Sequence, residues 1–361
     1  MEQIALHLAS YNGQLENVRS LIENGIDINQ TNNSKENALH FATRNDHRDI
    51  VEFLIEKGIN VNQINSFGQN ALHFAPSYAD GQLAMIRLLI KSGIDVNQID
   101  NYGENALHLA SRYGHENIIS FLIEKRIDIN QRDQNGHNAL HLVSSKGFKD
   151  IVLLLIRNGI DIKQTNNNGK NALHMATENN HRQIIQLLIQ SGIDVNSKDD
   201  SGQNALHLSS LGGQSDIVQL LIDKGIDINT ERNDGYSAFY LASYQGYIEI
   251  VRLLIEKGVD INQKDSDGKN ALHRSLSLGH VLIAKLLIEK GIDIRQTDSN
   301  GQNALHLASD NGQLEIVQIL IENGIDTQQM DNFDRCALYY SWYCCCLLCC
   351  SISGSQLMNS G

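Results

Sequence analysis

Proline occurs once in the 361 residues, at Pro76, and tryptophan once. One proline excludes collagen-like and proline-rich linker architectures and leaves almost nothing to interrupt helices. No cysteine precedes Cys336, and the six cysteines (Cys336, Cys344, Cys345, Cys346, Cys349 and Cys350) all lie at the C-terminal end. Everything before them therefore lacks disulfides and thiolate metal ligands, a pattern that predicts a reducing compartment. Basic residues are in deficit: 29 Lys and Arg against 42 Asp and Glu give a net charge of −13. Such a surface repels a phosphate backbone, which argues against nucleic acid as a partner. Met1 to Ser10 contains no basic segment followed by an apolar run, so no secretory signal is read there. A cytoplasmic location, or a nuclear one, is predicted, and 41% hydrophobic with 20% charged residues describe a water-soluble chain.

What the sequence has in abundance is repetition. Ala-Leu-His or a near variant begins at positions 5, 38, 71, 106, 139, 172, 205, 238, 271, 304 and 337. The step is 33 residues throughout, except between Ala71 and Ala106, where it is 35 because of an insertion beside Pro76. No break in spacing marks a linker. Each repeat encodes two short helices and a loop. In the last full one, Ala304, Leu305 and Ala308 recur at helical spacing up to Gly312. A second apolar stripe of Ile316, Val317, Leu320 and Ile321 spans about Leu314 to Asn323 and stops at Gly324. Ile-Asp-Ile-Asn-Gln and an Asp/Asn/Gly cluster follow, the composition of a tight turn. Neither helix buries its stripe alone, so stability comes from stacking each repeat on its neighbours.

The period, the helix pair and the Ala-Leu-His at each helix start resemble the ankyrin repeat family, for which 33 residues and Thr-Pro-Leu-His are the stock description. The resemblance covers residues 1–335 and implies an all-α solenoid of about ten repeats, starting near 1, 34, 67, 102, 135, 168, 201, 234, 267 and 300. Residues 336–361 read as a degenerate, Cys-rich cap or tail. Here Asn-Ala replaces Thr-Pro, for instance at 37–38 and 303–304. Alanine lacks the preset φ of proline, whereas asparagine is a strong helix N-cap, so capping is expected to set the helix start instead.

Few residues invite a chemical reading. His7, His40, His73, His108, His141, His174, His207, His273 and His306 recur in the motif, and the resemblance implies that they bond the loops of adjacent repeats. A second set, His47, His115, His181 and His280, follows seven residues later, beyond a helix end, and without paired acidic ligands it predicts no zinc site. The sequence holds no phosphate-cradling loop, no nucleophile elbow and no His-Glu-x-x-His. The repeated Asp of Ile-Asp-Ile-Asn, as at Asp95 or Asp227, reads as turn chemistry; identical acids on identical loops are the opposite of a differentiated catalytic pair. No enzyme, cofactor or metal is predicted.

Function must then lie where the repeats differ. The resemblance implies binding through the hairpin loops and the concave face of the first helices. In the variable columns near the end of those helices, Tyr and Arg stand out, as they do in interface hot spots: Tyr11, Arg44, Arg112, Tyr113 and Tyr244, with Tyr236 just ahead of its helix motif. Tyr236, Tyr240 and Tyr244 fall at i, i+4 and i+8, which suggests one stripe, although Tyr240 equally reads as a packed substitute for the motif histidine and Tyr247 as a packed residue after the glycine. Pro76 is expected to replace part of the third repeat's first helix by a loop. Arg126 and Lys35 occupy glycine positions and predict local strain.

The segment from Cys336 to Cys350 starts like an eleventh repeat and then loses its polar positions, and it is too short to span a membrane. It reads as a degenerate or truncated repeat, as a thiol metal cluster, or as an acylation site at Cys344, Cys345, Cys346, Cys349 and Cys350. Met1 enters almost directly at Ala5, the pattern of a piece cut from a longer array. Taken together, the sequence predicts a monomeric, non-catalytic scaffold or adaptor for a protein partner, membrane-associated only if the tail is acylated. The alternatives are a recognition subunit of a larger enzyme complex, such as a ubiquitin ligase, and a lipid-anchored membrane-skeleton tether.

Overall fold

A computed structural model describes residues 2–75 and 82–340. They form nineteen α-helices with short 3-10 turns and, among the described residues, no extended strand beyond an isolated antiparallel bridge between Glu231 and Ser237. The chain divides into two compact bodies, Met1–Ile193 and Asp194–Gly361.

In the first body the opening helices of the repeats are Glu2–Tyr11, Ala38–Arg44, Ala106–Tyr113, Ala139–Lys146 and Ala172–Glu178. The third repeat has only a 3-10 turn, Ala71–His73, in that place, just ahead of Pro76, which itself lies outside the described residues. The second helices are Leu15–Glu23, Arg48–Glu56, Leu83–Lys91, Glu116–Glu124, Lys149–Arg157 and Arg182–Gln190. In the second body the first helices are Ala205–Leu211, Ala238–Gln245, Ala271–Ser277 and Ala304–Asp310. Their partners are Ser215–Asp223, Ile248–Glu256, Val281–Glu289 and Leu314–Glu322.

Each pair buries what the spacing marks as apolar. Ala38, Leu39 and Ala42 pack with Ile50, Val51 and Leu54, all essentially inaccessible to solvent. Leaving such side chains exposed would cost about 1.5–3 kcal/mol for each large one, which is what holds neighbouring repeats together. The helix starts are set by asparagine. Asn105 Oδ1 accepts from the backbone N–H groups of Leu107 and His108, and the His108 ring reaches back to the Asn105 N–H, a reciprocal box that recurs at Asn37, Asn138, Asn171, Asn204, Asn270 and Asn303. This satisfies backbone donors that a helix otherwise leaves orphaned, and it replaces the conformational presetting of proline.

The turn from first to second helix needs a left-handed residue. Gly114 (φ 78°) and Gly147 (φ 87°) supply it, and each also makes room for the aromatic ring of the next repeat: a Cβ on Gly114 would lie 2.7 Å from Phe148, and one on Gly147 would lie 2.7 Å from His181. Lys35 (φ 60°) and Arg126 (φ 61°) hold positive φ without being glycine, the strain their positions predict.

Candidate protein-interaction surface

The motif histidines are committed to the stack. Nε2 of His40 donates to Gln69 O (3.2 Å), that of His108 to His137 O (3.1 Å), that of His141 to Lys170 O (3.1 Å), and those of His273 and His306 to Gln302 O and Arg335 O (3.2 Å each). Each rung thus joins the start of one helix to the loop of the next repeat. Burial pushes His40, His141 and His207 down from 6.5 to about 4, so the rings are neutral at physiological pH. The second set of histidines is occupied as well. Nε2 of His47, His181 and His280 donates to Tyr11 O (2.9 Å), Ser145 O (3.0 Å) and Tyr244 O (2.9 Å), closing the end of the preceding first helix.

The repeated acids and amides of Ile-Asp-Ile-Asn divide their work. Asp95 Oδ1 accepts from Asn97 N and closes its own turn (2.9 Å). The asparagine beside it has a longer reach that the sequence reading missed: Oδ1 of Asn62, Asn97 and Asn130 accepts the backbone N–H of Asp95, Asp128 and Asp161, one repeat further on, at 2.7–2.8 Å. In the second body Asn196, Asn229 and Asn262 do the same for Asp227, Asp260 and Asp293. The signal was the strict recurrence of the amide itself.

With the shared positions spent on structure, the variable ones remain. Tyr11, Tyr113 and Tyr244 lie at or next to the ends of their first helices and are exposed. Tyr113 stacks on His115 with centroids 6.0 Å apart. Arg44 and Arg112 are half-buried and paired within their own repeats. Arg44 donates to Glu36 Oε1 (2.5 Å) with its guanidinium 4.3 Å over the Phe74 ring, and Arg112 pairs with Glu104 through both terminal nitrogens. Burial raises the Glu36 carboxyl, but the Arg44 and Asn32 bonds outweigh it and hold it below its ordinary value. Each arginine therefore presents a neutralised pair, with its apolar planes partly open.

Repeat eight departs from the expected stripe. Its helix starts at Ala238 behind the N-cap Ser237, so Tyr236 lies before the helix and does not share a helical face with Tyr240 and Tyr244. Tyr236 is half-buried and stacks flat on Tyr240, with centroids 4.6 Å apart and planes 8° from parallel. Tyr240 is buried in the place of the motif histidine: its hydroxyl donates to Asp265 Oδ2 (2.5 Å) and accepts from Arg274 Nε, while Arg274 Nη2 donates to the same carboxylate oxygen (2.9 Å). Burial and the bond to Asp265 raise the Tyr240 hydroxyl far above its ordinary value. Burial raises Asp265, and the Tyr240, Lys269 and Arg274 bonds more than offset it. Tyr247 lies against Gly213, whose added Cβ would meet its ring at 2.8 Å.

The hairpin fingers hold exposed apolar residues that the sequence reading passed over, Ile64, Phe67, Ile99 and Tyr102 in the first body and Met330 and Phe333 in the second. Cys344, Cys345, Cys346, Cys349 and Cys350 lie outside the described residues, and Cys336 is a half-buried free thiol. Among the described residues no helix is long and apolar enough to cross a membrane.

Comparison with curated proteins gives no match. A family model described as ankyrin repeats, three copies, matches residues 2–65, 60–133, 128–199, 194–265 and 258–331. That match runs over the same helix pairs and rungs described above, and the chain belongs to the ankyrin repeat family.

Proposed function

We propose that this protein is a non-catalytic scaffold or adaptor that binds a partner protein through variable side chains at the ends of its first helices and on its hairpin loops. Ankyrin repeats are in general protein–protein interaction modules and typically non-catalytic. The observation that carries the reading is the division of labour along each repeat. The motif asparagine, histidine and alanine are buried and most of the asparagines and histidines bonded within the stack, whereas Tyr11, Tyr113 and Tyr244 are large and exposed, and among the described residues the one ring contact they make is Tyr113 with His115. Aromatic side chains with few rotatable bonds suit an interface, and a surface ordered at folding loses little further entropy on binding. Arg44, Arg112 and Tyr236, all half-buried, are the remaining candidates for the binding surface.

Affinity purification of the intact protein from its native cells, alongside a Tyr113→Ala/Tyr244→Ala version of equal melting temperature, tests the reading. A discrete partner is expected with the native chain and is expected to be lost with the variant. A partner retained by both overturns the tyrosine site, and no partner with either overturns the adaptor.

A further inference from the structure

Exposed apolar pairs stand at the same two finger positions three times among the described residues: Met330 with Phe333 in the second body, and two pairs on adjacent fingers in the first. In repeats three and four the exposed finger positions carry Ile64 with Phe67 and Ile99 with Tyr102, each between 41% and 56% exposed. The same two positions hold polar residues on the fingers to either side, Thr31 with Ser34 and Arg132 with Asn135. The four apolar side chains are presented on a stiff base, because Asn101 N donates to Phe67 O (2.7 Å) and its side-chain amide to Ser66 O (3.0 Å). Backbone bonds from Ser66 N to Ser34 O and from Gln134 N to Tyr102 O tie the pair to the fingers on either side. Those outer fingers carry Lys35 and Arg132, both exposed. The Arg132 guanidinium is held by the oxygens of Gly136, Thr165 and Asn167, and neither cation pairs with a carboxylate among the described residues. An apolar centre with a positive charge at each side thus sits on a chain whose net charge is −13.

We propose that this four-residue patch, with Lys35 and Arg132 at its margins, is the docking surface for an acidic segment of a partner protein that carries apolar side chains between Asp or Glu flanks. The proposal rests on the protein-binding reading and names its partner class. The apolar centre supplies burial, and the flanking cations select the sign of charge; elsewhere the acidic surface repels such a segment.

A random peptide display library is selected on the intact protein, and the consensus peptide is synthesised and measured by fluorescence anisotropy. Enriched sequences are expected to place apolar residues between acidic ones, with affinity falling as salt rises. Phe67→Asn/Tyr102→Asn and, separately, Ile64→Thr/Ile99→Thr install residue types that the chain already uses at these positions, so both variants are expected to fold, checked by melting. Each is expected to weaken the peptide at least about tenfold. Enrichment without acidic flanks, no enrichment over a control protein, binding retained in both variants, or preferential binding of phosphatidylserine vesicles overturns the proposal. A peptide lost only in Tyr113→Ala/Tyr244→Ala also overturns it while leaving the adaptor reading intact, so the two failures are distinguishable.

Discussion

His141 and Tyr240 occupy the same position in two repeats, one in each compact body, and differ in almost every bond they make. The His141 ring accepts from the Asn138 backbone N–H (3.2 Å), beside the Asn138 amide oxygen of its own cap, and donates to a backbone carbonyl of the next loop (3.1 Å), so its partner across the repeat boundary is a main-chain atom that any sequence provides. Tyr240 is capped by a serine, and its hydroxyl reaches a particular carboxylate, Asp265, that is shared with a particular guanidinium, Arg274. Arg274 stands in the column occupied by Leu142, Leu208 and Leu307. The difference teaches that a rung made to the backbone is independent of its neighbours, whereas a rung made to side chains demands matched changes in the next repeat. Asp298 shows the reverse situation: with a histidine on the preceding rung, its Oδ2 has no hydrogen-bond partner among the described residues and faces Lys269 Nζ at 3.9 Å.

The sharpest way to separate the two kinds of rung is acid. His40, His141 and His207 sit near 4 in the folded protein against 6.5 for the unfolded chain, so the unfolded state takes up protons first. Their contribution is full above pH 6.5 and is lost as pH falls from there toward 4, on the order of 3 kcal/mol for each rung at the acid end. Urea unfolding followed by circular dichroism at pH 7 and pH 4.5 is expected to show a large fall in midpoint. Tyr240 stays protonated throughout this window, and Tyr240→His is expected to steepen the loss.

The next largest effect is expected from Arg274→Ala, which leaves the buried Asp265 carboxylate without its cation. Breaking a pair of this kind costs about 3 kcal/mol, read as a lowered urea midpoint at pH 7. The triple change Ser237→Asn/Tyr240→His/Arg274→Leu rebuilds the common rung and is expected to recover most of that loss; failure to do so would show that repeat eight needs its own network for another reason. The smallest effect is expected from Asn138→Ser. Serine still caps the helix, as Ser237 does, but the amide bond from Asn138 Nδ2 to Gln164 Oε1 (2.5 Å) is lost, at about 0.5–1 kcal/mol in the same assay.

The contrast also marks what a sequence makes legible. Period, helix pairs, the asparagine caps and the strain at Lys35 and Arg126 follow from local rules that each repeat states again. The Tyr240 network did not, because Asp265 lies 25 residues away and Arg274 34 residues away, and nothing local links a tyrosine to either. The reach of Asn62 or Asn97 was hidden for a similar reason: an amide within a turn-forming cluster reads as a local cap, and its donor lies a full repeat further on. Tyr11, Tyr113 and Tyr244 were legible as exposed because their column ends a helix whose buried face is already assigned. Arg44 and Arg112 were legible as positions but not as ion pairs, since Glu36 and Glu104 come before the N-cap. Ile64 and Ile99 escaped notice because each stands in a short apolar-rich segment, five residues after the buried Ile59 or Ile94 and three after Val61 or Val96.

The asparagine bonds from one repeat to the next join like positions to like positions, as do the glycine corners beneath the following ring. Within either body, an in-frame excision or duplication of a whole repeat would bring each acceptor to another copy of its own donor, and a corner glycine to another ring wherever the next repeat carries one, as at Phe148, His181, Tyr247 and His280. Such a chain changes length by recombination in whole steps without leaving a polar group stranded at the new seam. The exceptions are the places where a neighbour has been individually fitted. Repeats eight and nine, bound through Tyr240, Asp265 and Arg274, are heritable only as a pair.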